Sequence, residues 1–375
     1  MVTDVNQGVI PVLLPFLIAQ HGLSYAAAAG IVFALNISSS LVQPLFGYFA
    51  DRYSKSWLIP AGAVAAGAGV ALIGIAPGYW SIFLVSAISG IGIAAVHPEG
   101  ARLVNMLAGE NKAMAMSIFG IGGQLGFAIG PLLTTGFLFL YGLRGTLLLA
   151  VPVVIFAIVF VGRSSQISAY RKAPSGKKAP APSVSGRDAW GPFARLTLMI
   201  TSRSIAFYGL NTFLPLYWVN VLGQSKAAGG TALTILLGAG VAGTLIGGRL
   251  ADKLGYRKAV LVSLIALMLV LPCLVLTQRV WLLTLLLVPV GLALSGSFSP
   301  AIVLGQKYLP NRVGLASGVT LGLAITVGGI AAPILGRVAD IYGIYWTLVS
   351  LIFLPVIGTC LALTLPRPET VTAQF

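Results

Sequence analysis

Gly47-Tyr48-Phe49-Ala50-Asp51-Arg52 and Gly248-Arg249-Leu250-Ala251-Asp252-Lys253 are two copies of one pattern, 201 residues apart. The same offset joins Tyr141-Gly142-Leu143 to Tyr342-Gly343-Ile344, and Gly90 to Gly291. One spacing shared by separate landmarks marks a duplicated unit. Each copy of the first pattern closes an apolar tract of about 20 residues, the length that carries a helix across hydrocarbon.

The rest of the chain has the same character. Apolar residues fill 57% of its 375 positions and charged residues 8%, against roughly 45–50% and about 25% in soluble domains. So little charge cannot cover a water-facing surface. Twelve spans are expected near 4–20, 25–48, 57–76, 79–101, 113–138, 143–162, 193–219, 227–250, 259–277, 280–304, 313–335 and 342–366. Tracts of that length exclude a barrel, whose strands alternate every second residue. The first tract has no basic start and no small-residue cleavage site, so it reads as a span and not a signal. It begins so close to Met1 that two readings stay open, a start further upstream or a helix that lacks its first turn. Cys273 and Cys360 sit singly in apolar tracts and read as small core filler, with no disulfide framework and no metal site.

Lysine and arginine set the orientation. Of the 23, eighteen fall in, or at the span edges beside, the connections 2–3, 4–5, 6–7, 8–9 and 10–11 and the tail. The opposite side holds only Arg144, Lys226, Arg279 and Arg337, and Arg203 lies within span 7. Basic residues near span ends stay cytoplasmic, so both termini are expected inside. The net charge of +15 is therefore a topology signal and not a nucleic-acid surface. The one long polar connection, 163–192, is rich in Pro, Ser, Lys and Ala and reads as a flexible linker. Residues 1–162 and 193–366 are the expected six-helix bundles, with 367–375 a cytoplasmic tail. A monomer is expected.

Two six-span halves, a cytoplasmic linker and GxxxD-[Arg/Lys] at both the 2–3 and 8–9 turns resemble the major facilitator superfamily. The resemblance implies an all-α membrane protein of twelve helices in two pseudo-symmetric bundles, with a midplane substrate site and alternating access. Gly47 and Gly248 then allow close helix approach. Asp51 and Asp252 face the positive end of a neighbouring helix, while Arg52 and Lys253 face the cytoplasm, a latch on the inner gate. In span 5, Gly122-Gly123-Gln124-Leu125-Gly126-Phe127-Ala128-Ile129-Gly130-Pro131 resembles the GxxxGP element of the superfamily's exporters. Gly126, Gly130 and Pro131 would form its packing face. Drug exporters usually carry an Arg in span 4, where this chain has Ser86.

A closer resemblance is to the fosmidomycin resistance branch. It rests on Asp4-Val5-Asn6-Gln7-Gly8, on Ser40 to Asp51 around Gln43-Pro44, on His97-Pro98-Glu99-Gly100-Ala101-Arg102, on Ser117 to Gly123, and on Phe213 to Trp218. It implies a bacterial inner-membrane exporter of small anionic or amphiphilic compounds, driven by proton entry, with the proton gradient in place of a cofactor.

Charges inside the bilayer cost about 2.5–3.5 kcal/mol each on insertion scales, so they normally serve a function. Arg203, ten residues into span 7, is expected to meet an anionic substrate group or an acidic partner. His97 and Glu99 are expected to carry or sense the coupling proton, since histidine titrates near neutrality. The competing reading makes His97 a cap at the Pro98 kink and Glu99 the partner of Arg102, three residues on. Asp4 could pair with Arg203, bind the proton, or lie at the interface. Gln7, Asn36, Ser39, Gln43, Gln124, Tyr208 and Asn211 lie on spans 1, 2, 5 and 7, which line the cavity in this superfamily. Each is expected first as a helix–helix hydrogen bond and second as a ligand contact. Trp218, Tyr342 and Trp346 are expected in the interfacial belt.

No GxxxxGK[ST] phosphate loop, HExxH, paired CxxC or nucleophile elbow is present in the sequence, so ATP-driven transport and hydrolytic chemistry have no candidates. The expectation is a secondary transporter exporting a small toxic compound against protons. An importer or metabolite carrier of the same fold, and a non-transporting sensor or scaffold, are the alternatives.

Overall fold

In hydrocarbon a backbone N–H or C=O has no water to bond, so each apolar tract must close its own hydrogen bonds as a helix. The structure, a computed structural model, describes residues 1–53, 56–108, 112–167 and 187–366, without the side chains of 49–53, 112, 113, 321 and 323–325. Most of the expected linker, the whole of the expected tail, and the side chains of Asp51 and Arg52 lie outside that description.

By their internal contacts the residues form two units, Met1–Leu23 with Gly30–Ala181, and Ser24–Ala29 with Pro182–Phe375. In the first, α1 (Val2–His21), α2 (Tyr25–Tyr53), α3 (Leu58–Ile73), α4 (Tyr79–Leu107) and α5 (Lys112–Tyr141) are followed by a 3-10 segment, Gly142–Leu149, and α6 (Ala150–Gly162). The second holds α7 (Trp190–Asn220), α8 (Lys226–Leu254), α9 (Tyr256–Leu276), α10 (Val280–Gly296), α11 (Phe298–Tyr308) and α12 (Val313–Gly318). A π-helical turn, Val319–Leu323, then leads to α13 (Ala324–Tyr342), α14 (Ile344–Leu351) and α15 (Phe353–Leu363). Spans 10, 11 and 12 are thus each made of two helical pieces. No strand occurs among the described residues.

Among the described residues, eight helical stretches are long and apolar enough to cross a membrane; one of them, Met114–Gly162, covers two expected spans. Large apolar side chains such as Trp80, Phe139, Ile158, Leu276 and Trp281 are exposed, as a lipid-facing surface requires. Span 6 departs from the expectation at its start. Gly142, with φ +57°, ends α5, and the chain tightens into 3-10 turns because Thr146 is tied to α3: its Oγ1 donates to Ala71 O (2.8 Å) and accepts from Gly74 N (3.2 Å).

Three lesser expectations are corrected. Cys273 and Cys360 are exposed, not core filler, on the lipid-facing side of their helices. Trp218 is 2% exposed and packs edge-on to Tyr217 in the core, whereas Tyr342 and Trp346 are exposed near helix ends as a belt residue should be.

The duplication extends to the packing. In the first unit a side chain at Gly90 (α4) would collide with Leu35 O and Ser38 of α2. In the second, one at Gly291 (α10) would collide with Leu236 O and Ala239 of α8. Every partner is displaced by the same 201 positions.

Candidate functional site

In the first unit the polar centre forms where α1 runs against α5 and α4. The small face of α5 makes the close approach possible: side chains at Gly126 and Gly130 would strike the carbonyls of Met1 and Val5, and one at Gly8 would strike Phe127 O and Pro131. Asp4, one turn from the start of α1, is thereby buried. Its Oδ1 stands 3.2 Å from His97 Nε2 on α4, and its Oδ2 accepts from Thr3 Oγ1 (3.4 Å) and from the Met1 ammonium (2.9 Å). Gly123 of α5 closes the other side, the site of its missing Cβ lying 3.5 Å from Asp4 Oδ1. His97 also meets the ring of Phe119 edge-on at 6.5 Å.

Positions 97 and 99 lie about 200° apart on a helix of 3.6 residues per turn, so His97 and Glu99 are not one pair. Glu99, 1% exposed, is held in a two-pronged contact by Arg102, with Nε at 3.0 Å and Nη2 at 2.7 Å from its two oxygens. A buried carboxylate and guanidinium joined this way fix each other and the helix turn between them. The acid–base partner of His97 is Asp4, which the sequence reading did not pair with it.

In the second unit Arg203 is 7% exposed on α7. Its Nη1 donates to Leu294 O (3.4 Å), the carbonyl near the end of α10, and its Cζ lies 5.5 Å from the Phe298 ring that opens α11. The break between α10 and α11 is thus where the guanidinium rests. Its Nε has no partner among the described residues, and neither has the buried Ser297 hydroxyl at the break. No carboxylate pairs with Arg203 among the described residues. Further along α7, the ring of Tyr208 packs against Gly328 of α13. Asn211 is buried with its Oδ1 unpartnered.

The other expected residues fall as follows. Asn36 and Ser39 are buried on α2, and Gln7, Gln43 and Gln124 are half-buried. Ser86, where exporters carry an Arg, is buried and donates to Ile82 O at 2.8 Å within its own helix. Gly47 approaches Pro98 of α4, its missing Cβ 3.9 Å from the Pro98 ring. Gly248 faces open space, and Asp252 and Lys253 are exposed with no ion pair among the described residues. Sequence reasoning passed over Asn6, which is fully buried with both side-chain polar atoms unpartnered, and Asp340, whose carboxylate binds the first turn of α2. Both look like ordinary helix residues in a linear sequence. No group of His, Cys, Asp and Glu able to hold a metal ion occurs among the described residues.

The geometry has close counterparts among known proteins. The chain is 32% identical to the MFS-type transporter YfnC of Bacillus subtilis over 98% of its own length and 91% of that protein. It is 30% identical to the fosmidomycin resistance protein of Escherichia coli, over 96% and 88% respectively. In fold it matches a bacterial homologue of the human lysosomal transporter Spinster, solved inward-facing and occupied, with a TM-score of 0.81 at 15% identity over 100% of this chain and 95% of that one. The model of the Major Facilitator Superfamily matches residues 1–333, and the chain belongs to that superfamily of multi-pass membrane transporters.

Proposed function

We propose that the protein is a secondary transporter of the bacterial inner membrane, with both termini cytoplasmic, that expels a small, anionic toxic or antibiotic compound by alternating access in exchange for protons. The observation that carries the coupling is the Asp4–His97 pair. A carboxylate and an imidazole held 3.2 Å apart and shielded by Gly123 and Phe119 can take up and release one proton without moving far. Arg203 supports the charge of the cargo. A guanidinium stays protonated and is costly to bury alone, and here only a carbonyl and an aromatic face attend it. An anion that completes its hydrogen bonding would be bound by a group already in place. The unpartnered Oδ1 of Asn211, on the same helix as Arg203, offers a neutral contact for the same compound, since buried polar groups gain most from a partner. The outward direction is supported by the names of the relatives, a fosmidomycin resistance protein and the multidrug resistance protein MdtG of Salmonella, the latter 24% identical over 84% of this chain. Glu99 and Arg102 position α4 in this reading and do not carry the proton.

The test uses inside-out membrane vesicles with fosmidomycin and a panel of small anions. Acidifying the lumen should drive accumulation of at least one of them, and the uptake should collapse when the gradient is discharged. Accumulation only when the lumen is made alkaline would reverse the direction and make the protein an importer.

A further inference from the structure

The end of α15 is held by side chains from three other helices of the second unit. The final carbonyls of a helix find no partner within it. Here Arg195 of α7 donates Nη1 to Thr364 O at 2.7 Å, and Arg257 of α9 donates Nη2 to Leu363 O at 2.8 Å. Tyr308 of α11 donates its hydroxyl to Pro366 O at 2.7 Å. Lys307, beside Tyr308, lies over the ring of Tyr256, the neighbour of Arg257, with Nζ 4.6 Å from the ring centre. All these residues fall within Pro182–Phe375.

Cations suit the C-terminal end of a helix, but these two full charges meet only neutral carbonyls. Neither Arg195 nor Arg257 is in an ion pair among the described residues, and Arg257 Nε is buried without a partner there. Two guanidinium groups on neighbouring carbonyls repel each other, and an anion between them relieves that repulsion. The duplication shows that the fold does not require the arrangement. Ser56, Met106 and Leu107 stand 201 positions before Arg257, Lys307 and Tyr308. The place of the charges is also specific. Along α15 the large side chains of Phe353, Ile357 and Leu363 are exposed, and the arginines sit where that apolar face stops. Trp190, half exposed at the start of α7, marks the same level, as aromatic residues do at the boundary of hydrocarbon and headgroups.

We propose that Arg195, Arg257 and Lys307 form a binding site for the phosphate of an anionic phospholipid, whose acyl chains lie along the exposed face of α15. A guanidinium that spends one N–H on a carbonyl keeps others for phosphate oxygens, which match its fork. The carbonyl contacts fix both forks in place beforehand, so little freedom is lost when the lipid arrives. Basic groups at helix ends, set above an apolar face, are the chemistry that holds such headgroups. The site needs only a bilayer around the second unit and stands whatever compound the chain moves, and in whichever direction.

The experiment is thermal unfolding of the purified full-length protein in a nonionic detergent, titrated with phosphatidylglycerol or with phosphatidylcholine of the same chains. In the native protein phosphatidylglycerol should raise the midpoint and phosphatidylcholine should do so much less. The double variant Arg195→Gln/Arg257→Gln should bind phosphatidylglycerol roughly thirtyfold more weakly, the effect of two basic groups at an anionic headgroup, and lose the difference between the lipids. That variant also uncaps α15, so Arg195→Lys/Arg257→Lys accompanies it. The lysine pair keeps the charge and should keep most of the difference, even where its midpoint without lipid has fallen. Arg279→Gln, which removes an exposed cation just beyond the other end of α9, should leave the difference intact. Equal effects of the two lipids on the native chain would overturn the proposal, as would loss of the difference in the lysine pair or in Arg279→Gln. Glycerol 3-phosphate should leave the midpoint unchanged; a rise equal to that given by the lipid would assign the site to a soluble phosphate and sink the lipid. Should the glutamine pair fail to fold, native mass spectrometry of Arg195→Gln and Arg257→Gln singly decides the matter: each should retain less phosphatidylglycerol than the native chain, and unchanged retention in both would overturn the site.

Discussion

His97 Nε2 and Asp4 Oδ1 stand 3.2 Å apart, linking α4 to α1 within the first unit. The pair joins a carboxylate on one helix to an imidazole on another. Asp4→Asn keeps the shape of the side chain and one acceptor oxygen but removes its charge. Uptake driven by a pH gradient should fall to the level of vesicles lacking the protein, while gradient-free exchange of labelled for unlabelled compound persists. Equal loss of both activities would make Asp4 a structural residue. His97→Gln is expected to behave in the same way.

Glu99 and Arg102 should respond differently. Arg102→Leu leaves a carboxylate that is 1% exposed without its two-pronged partner, and breaking a buried pair from one side costs about 3–5 kcal/mol. Thermal unfolding in detergent should show this as a large fall in the transition midpoint. Adding Glu99→Gln removes the stranded charge and should recover more than half of the loss. A double variant less stable than the single one would mean that Glu99 has a second role.

How far these sites were legible in sequence depended on what each residue type reveals by itself. Arg203 stood out because no topology rule explains a cation at that depth, and the repeat stood out because one offset recurs. The geometry of His97 was not legible: sequence neighbours suggested Glu99, but a helix turns about 100° per residue and hands His97 to another helix altogether. Asn6 and Asp340 were missed for a related reason. A polar residue in an apolar tract shows only that a partner is needed; whether it has one depends on which helices meet there. The GxxxD motif, conversely, was readable as a pattern, yet Asp252 is exposed, and among the described residues the carboxylate-to-helix contact belongs to Asp340.

Arg203 gives a sharp comparison of two conservative changes. Lys keeps the charge but not the planar fork that rests on Phe298 and reaches Leu294 O. Gln loses the charge as well. Hydrogen bonds to charged groups are worth about 1.5–3 kcal/mol, so Arg203→Gln should weaken binding of an anionic compound at least about tenfold. Arg203→Lys should be intermediate. Thermal-shift titration of purified protein measures both. Equal affinity in all three chains would take Arg203 out of the binding site.

The duplicated packing offers a paired test of the fold itself. Gly90 and Gly291 occupy equivalent places, each against a carbonyl one helix away, Leu35 O in one unit and Leu236 O in the other. A methyl group at either position must push backbone aside, and forced overpacking of this kind costs about 1–3 kcal/mol. Gly90→Ala and Gly291→Ala should therefore destabilise the protein by similar amounts. Gly136 is the control: nothing lies within 4 Å of its missing Cβ, and Ala is preferred over Gly inside a helix by roughly 0.5–1 kcal/mol, so Gly136→Ala should be neutral or stabilising. The three unfolding midpoints, measured in one detergent, check this directly. If Gly90→Ala and Gly291→Ala differed widely, the two halves would share a sequence pattern without sharing the helix contact it encodes.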